Sequence, residues 1–258
     1  MIGLGTLYLI PTPLAKTGNP ETISVYNRSV IEGLSHFVCE RIPTAISFLE
    51  FIGMSKRIPE LTFLELNKKS SSEQLNECLQ PLLMGESVGV LSEAGAPAIA
   101  DPGSDLVAQA HLYQIEVVPL TGPTSFALAL MASGLDGQRF RFHGYLSRKY
   151  DHLRGQVTEM EQDSAMRRES QIFMEAPQRN ETIFRHLKDL LKSDTMLSIS
   201  CNLTHADGWT KTASIGEWNA QTMPDFDKQP CVFIIQATES AAGKPPPKNA
   251  TVTRVKRW

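Results

Sequence analysis

Cysteine is scarce in this 258-residue chain, and its four copies, Cys39, Cys78, Cys201 and Cys231, stand far apart with no Cys-x-x-Cys pair. That spacing argues against a disulfide framework and a zinc site. Buried free thiols in a reducing cytosol fit better, and no metal is expected. Long apolar runs are missing too: nothing approaches the roughly 20 apolar residues that a membrane span needs. Met1–Ile10 lacks the basic start of a secretory signal. The expectation is a soluble, cytoplasmic protein with no membrane partner. Absent as well are a GxxxxGK[ST] phosphate loop, an HExxH pair and a GxSxG elbow. Gly3-Leu-Gly5 precedes the first apolar run instead of following it, so it is not a dinucleotide fingerprint. The six histidines are dispersed and read as structural or surface groups.

What is present is an ordinary globular composition, 41% hydrophobic and 21% charged, in a chain long enough for two small domains. A net charge of -3 argues against a generic nucleic-acid coat. The charge is unevenly spread. Residues 1–120 carry 7 Lys and Arg against 13 Asp and Glu, and residues 121–258 carry 18 against 15. Arg139–Arg154 holds five basic residues and one acid, and so does the tail Glu239–Trp258. Such patches can hold a polyanion on an acidic protein. A solvated face and a frayed tail are the plainer alternative.

Short apolar runs alternate with helical patterns. Thr6–Ile10, Gly33–Cys39, Ser87–Leu91 and Ile115–Leu120 read as strands; Ser24–Leu34, Pro43–Gly53, Ser71–Met84 and Asp105–His111 read as helices. The second half repeats the style. Helices are expected at Ser125–Ser133 and Glu181–Leu191, and strands at Gln171–Met174, Met196–Cys201 and Cys231–Gln236. This is the α/β signature, with a mostly parallel sheet. The domains are placed at 1–120 and 121–240, followed by a basic, proline-containing tail at 241–258.

Three loops follow apolar runs. Ser92-Glu-Ala-Gly-Ala-Pro-Ala-Ile-Ala-Asp-Pro-Gly103 contains two Gly, four Ala and two Pro. Its small side chains let backbone groups approach a ligand, and its prolines keep it stiff. Thr121-Gly-Pro-Thr-Ser125 leads into a helix, where Thr124 or Ser125 can cap the helix or grip a polar ligand. Met174-Glu-Ala-Pro177 is stopped by proline. Ligands of open α/β sheets bind outside the carboxyl ends of strands, where these loops fall.

Leu7-Tyr-Leu-Ile-Pro-Thr-Pro13, the Ser92–Gly103 loop and Pro119-Leu-Thr-Gly-Pro123 together resemble the tetrapyrrole methylase superfamily. Ser133-Gly-Leu135, Phe142-His-Gly-Tyr-Leu146 with Arg148-Lys149, and Glu175-Ala-Pro-Gln-Arg179 extend the likeness, in order, to about Ala237. Within the superfamily the chain is most similar to the branch that 2′-O-methylates a cytidine ribose of small-subunit ribosomal RNA. The resemblance implies two α/β domains with S-adenosyl-L-methionine in the cleft between them, and a homodimer. It implies cofactor contacts from Leu14, Ala96, Ile99, Thr124, Ser125, Met174, Leu203 and the Pro230–Cys231 region. Gly95 joins them as the residue that keeps the long loop open.

Methyl transfer from a sulfonium is an in-line displacement, so alignment is the protein's main task. A ribose hydroxyl must also lose its proton. Glu93, Asp101, Glu40 and Glu175 are candidate bases, and each can equally orient a loop or cap a helix. Arg148, Lys149, Arg154 and Arg179 are expected on the RNA side. Two polar clusters depart from the RNA-modifying branch. Glu40-Arg41-Ile42-Pro43 replaces Glu-Asp-Thr-Arg, and Cys201-Asn-Leu-Thr-His205 replaces Arg-Glu-Leu-Thr-Lys. The readings left open are ribosomal RNA methylation, methylation of a tetrapyrrole or other small molecule, and cofactor binding without catalysis.

Overall fold

A computed structural model describes residues 3–15, 22–222, 225–226 and 228–238. The basic tail at 239–258 lies outside them. The chain forms two compact units, Met1–Thr124 and Ser125–Trp258.

The first unit runs β1 (Thr6–Ile10), α1 (Val25–Gly33), β2 (His36–Cys39), α2 (Ile42–Phe51), β3 (Thr62–Glu65), α3 (Ser72–Leu83), β4 (Val88–Leu91), α4 (Gly103–Leu112) and β5 (Glu116–Pro119). Its five strands lie in the order β3-β2-β4-β1-β5, all parallel. A parallel sheet needs cover on both faces, and the central strands are accordingly apolar runs. Ile10, Phe37 and Leu91 pack with Ile31, Ala45 and Leu49 of α1 and α2. Leu7, Val38, Val88 and Val90 pack with Cys78, Leu79, Leu82, Leu106 and Ala110 of α3 and α4. Local signals set the helix starts. The Ser24 side chain accepts from Asn27 N–H, Pro43 sits in the first turn of α2, and Ser71 with Gln74 forms a capping box.

Gly89 in β4 shows how tightly this core closes. A Cβ there would lie 2.6 Å from Ile10 Cδ1, 2.9 Å from Leu34 Cδ1 and 3.2 Å from Phe37 Cδ1. Gly89→Val is therefore expected to overpack the α1/α2 face and cost about 1–3 kcal/mol. Urea unfolding checks this; an unchanged midpoint would show that the face has room.

The second unit runs α5 (Ser125–Ser133), β6 (Phe140–Tyr145), α6 (Tyr150–Arg167), β7 (Ser170–Glu175), α7 (Asn180–Leu190), β8 (Met196–Cys201), β9 (Trp209–Ser214), α8 (Ile215–Asn219) and β10 (Cys231–Gln236). Its sheet order is β6-β7-β10-β8-β9. Only β6 and β7 pair in parallel; the other three pairings are antiparallel. The mostly parallel expectation thus fails for this half. A short connection joins β8 to β9, which permits only a hairpin, whereas a parallel pair needs a long crossover.

All four cysteines are buried free thiols. Burial first, then nearby carboxylates, pushes the Cys39 thiol up to about 12; burial likewise lifts Cys78 to about 11. Neither carries thiolate at neutral pH. Among the described residues, no helix is long and apolar enough to cross a membrane, and no group of three or more His, Cys, Asp or Glu is placed to hold a metal.

Candidate functional site

The parallel strands of the first unit all end at one edge of their sheet. Strand β1 leads to a helix on one face, and its neighbour β4 leads to α4 on the other. Adjacent strands that send their chains to opposite faces leave a crevice between the loops that follow them. The loops in question are Pro11–Leu14 and Ser92–Pro102, two of the segments singled out by their small residues.

Those loops are stitched together. Thr12 and Gly95 form an isolated antiparallel bridge, with N···O distances of 2.9 and 3.0 Å. The buried Thr12 hydroxyl donates to Ser92 O at 3.2 Å, and the Ser92 hydroxyl donates to Gly95 O at 2.6 Å. Gly95 has φ +79°, and a Cβ on it would sit 3.0 Å from Leu14 Cδ2 and 3.5 Å from Pro123 O. A Cβ on Gly122 would lie 2.4 Å from the Pro11 ring. The Leu120–Thr124 loop therefore packs on the same crevice. It is fixed from below by buried Asn27, whose amide donates to Thr121 O at 2.7 Å. Sequence reading missed Thr12, Ser92 and Asn27, because a buried hydroxyl or amide has no local pattern.

Further along the long loop, Ala98 and Ala100 hold φ of +64° and +57°, a left-handed conformation disfavoured for alanine. Asp101 over-determines it: Oδ1 accepts from Ala98 N at 3.3 Å and Gly103 N at 2.7 Å. Ala96 is half-buried, and Ile99 is exposed at the loop tip.

Three of the four candidate bases meet at these strand ends. Burial raises the proton affinity of Asp101, against the pull of its two backbone hydrogen bonds. Burial also raises that of Glu40, helped by the charges of Asp101 and Glu93 and opposed by Lys68. Glu93 accepts from the Thr44 hydroxyl of α2 at 3.0 Å. Asp101 and Glu93 are thus engaged with their own scaffold, while the hydrogen bonds of the described residues leave the Glu40 carboxylate uncommitted. Lys68, absent from the sequence expectations, contributes positive charge that both Glu40 and Asp101 feel.

In the second unit, register lines up Tyr145 with Met174 at one edge, followed by Glu175 with Cys231, and Cys231 with Cys201. Ser125 Oγ lies 3.5 Å from Met174 Sδ. Met174 and Leu203 pack on one apolar cluster with Phe126, Ala129 and Val232. Pro230 O accepts from Asn202 N at 3.0 Å, and buried Asn180 donates to Gln229 O at 2.6 Å and lies 3.3 Å from Cys231 Sγ. The structure thus gathers Ser125, Met174, Leu203, Pro230 and Cys231 at one edge of this sheet.

Glu175 and Arg179 take another arrangement from the one expected. The Glu175 carboxylate is buried, accepts from Ala176 N at 2.7 Å and lies 3.3 Å from the Arg179 guanidinium. Arg179 in turn donates to Ser147 O at 3.3 Å. The pair ties the turn before Arg148 and Lys149 to the end of β7. Arg148, Lys149 and Arg154 are exposed around the start of α6.

A parallel sheet with a switch-point crevice of small-residue loops, followed by a mixed sheet, defines the class. The chain belongs to the tetrapyrrole (corrin/porphyrin) methylase family, whose model matches residues 6–217. Particular relatives are proteins named ribosomal RNA small subunit methyltransferase I. One, from Micromonospora olivasterospora, is 32% identical over 80% of this chain and 61% of its own length. One from Synechocystis is 29% identical over 81% of this chain and 71% of its own, and one from Pseudomonas aeruginosa is 26% identical over 93% and 82%. The match therefore spans about three fifths of the Micromonospora protein. Among solved structures, the methyltransferase CobJ aligns over 92% of this chain and all of its own, with a TM-score of 0.57 at 14% identity. The cobalt precorrin-4 methyltransferase CbiF aligns over 90% and 94%, with a TM-score of 0.54 at 13% identity. At such identities these two support the fold alone.

Proposed function

We propose that the protein is an S-adenosyl-L-methionine-dependent methyltransferase that modifies a ribose 2′-hydroxyl of small-subunit ribosomal RNA, acting in the cytoplasm as a homodimer. The observation that carries the reading is the crevice at the ends of β1 and β4. It is walled by backbone and small side chains, and Gly95 preserves room that a Cβ would fill. When bound, the cofactor supplies a methyl group already activated on a sulfonium. The residues of the first unit that would hold it are Leu14, Gly95, Ala96, Ile99 and Thr124. The RNA acceptor is supported by the names of the relatives and by the exposed basic residues around the start of α6.

Of the four carboxylates, Glu40 best suits the role of proton acceptor. Its proton affinity is raised by burial and neighbouring negative charge, and among the described residues no hydrogen bond engages its oxygens. Asp101 and Glu93 shape the loop, and Glu175 holds Arg179.

The test is transfer of tritium from labelled S-adenosylmethionine to small ribosomal subunits, total RNA and a precorrin-type tetrapyrrole in parallel. Label is expected in the subunits, in alkali-resistant dinucleotides, as 2′-O-methylation requires. Glu40→Gln should lower kcat by about 10²–10⁴ with donor affinity retained, the range for removing a general base. Label in the tetrapyrrole alone would replace the RNA acceptor with a small molecule. Absence of donor binding by calorimetry, with folded protein, would remove the methyltransferase reading.

A further inference from the structure

The turn that carries Arg148 and Lys149 also presents an aromatic ring. Tyr150, the first residue of α6, is 48% exposed, which is high for a side chain of this size. Its ring does not hang free. The imidazole of His186, reaching across from α7, lies 4.8 Å away between centroids at an interplanar angle of 52°. The turn beneath it is braced three times. Ser147 N donates to Gln156 Oε1 at 2.8 Å, Lys149 N donates to Ser147 Oγ at 3.2 Å, and Arg179 donates to Ser147 O at 3.3 Å. An exposed ring fixed in orientation loses little entropy when a flat partner is laid against it. Around it stand the exposed cations Arg148, Lys149 and Arg154, with Asp151 the one acid of the segment. Cations spaced around an aromatic face fit a phosphodiester strand with one base turned out of its stack.

We propose that Tyr150, backed by His186, is the stacking platform for a single unpaired nucleobase of the RNA acceptor, with Arg148, Lys149 and Arg154 on the flanking phosphates. The inference rests on the RNA reading above and adds α7 to the acceptor surface. It requires a single-stranded or looped target, because a base inside a duplex cannot reach the ring.

The probe is a short single-stranded RNA carrying 2-aminopurine, whose fluorescence falls when it stacks. The unmodified protein should quench it on binding. Tyr150→Ala should abolish the quench and weaken binding by about five- to hundredfold, the range set by base–aromatic stacking. Its slope of log affinity against log salt should stay unchanged, because no phosphate partner is lost. Tyr150→Phe should restore both binding and quench, and His186→Ala should fall between. Donor affinity of the variants, measured by calorimetry, confirms that they are folded. Binding and quench retained in Tyr150→Ala would overturn the platform and leave the RNA reading intact. A flatter salt slope in Tyr150→Ala would also overturn it, since the loss would then run through the cations. Failure of the unmodified protein to bind any RNA at low salt would overturn the RNA reading itself.

Discussion

Gly95→Asp is expected to raise the dissociation constant for S-adenosylmethionine at least about a hundredfold, from about 1 μM to about 0.1 mM or weaker. Two effects act together. Gly95 occupies φ +79°, where a Cβ costs roughly 1–2 kcal/mol, although aspartate tolerates that region better than most residues. The larger effect is space and charge. The new Cβ would be 3.0 Å from Leu14 Cδ2 and 3.5 Å from Pro123 O, so the carboxylate must turn into the opening of the crevice. There it would occupy the place proposed for the donor. Ala96→Arg should do the same by bulk alone, because Ala96 is only half-buried and its side chain has an exit. Neither change touches the α1/α2 or α3/α4 cores, so far-UV spectra should match the unmodified protein. Calorimetry with S-adenosylhomocysteine measures the loss. Normal binding by either variant would mean that the Ser92–Gly103 loop is not the wall of the donor site.

The loop proposed as the wall of that site is legible in the sequence for a physical reason. A loop of Ala, Gly and Pro between two apolar runs has no side chains with which to do anything except hold its backbone in place, and so its composition advertises its role. The same logic made the central strands plain. Val88–Leu91 and Cys231–Gln236 are buried on nearly every residue and read as continuous apolar runs. The elements that escaped notice are the edges. Thr62–Glu65 and Trp209–Ser214 border their sheets and mix polar with apolar residues. Phe140–Tyr145 alternates aromatic residues with Arg and His, and its charges mask its period of two. Helix α6 escaped because its buried stripe of Leu153, Val157, Met160 and Ser164 includes a serine and runs beside buried Glu161. That glutamate is satisfied at long range, by Lys192 N at 2.8 Å and Thr195 Oγ1 at 2.6 Å.

Side-chain pairing was the part that sequence could not supply. Glu175 and Arg179 were expected in separate roles, as base and as substrate contact, yet they hold each other and Ser147. Glu40, Glu93 and Asp101 come from two loops more than fifty residues apart in the chain, and only the β2–β4 pairing brings them near one another.

The triple variant Arg148/Lys149/Arg154→Ala is expected to bind small-subunit ribosomal RNA much more weakly and with a visibly flatter salt dependence. All three side chains are exposed and unburdened by close ion pairs among the described residues, so their charge is available to phosphate. Each phosphate neutralised on a single strand contributes about 0.7 to the slope of log affinity against log salt, and about 0.9 on a duplex. Losing three contacts should therefore lower the slope by roughly two to three units, and at low salt the affinity should fall by several orders of magnitude. Donor affinity should not change, because the loops proposed to hold the donor follow other strands. The contrast with Arg179 sharpens the outcome. Arg179 is spent on Glu175 and Ser147, so Arg179→Ala should weaken RNA binding by loosening the turn without altering the slope. Filter binding of labelled RNA across a salt series separates the two behaviours. An unchanged slope in the triple variant would take the start of α6 off the RNA surface and leave residues 239–258 as the remaining basic segment to carry it.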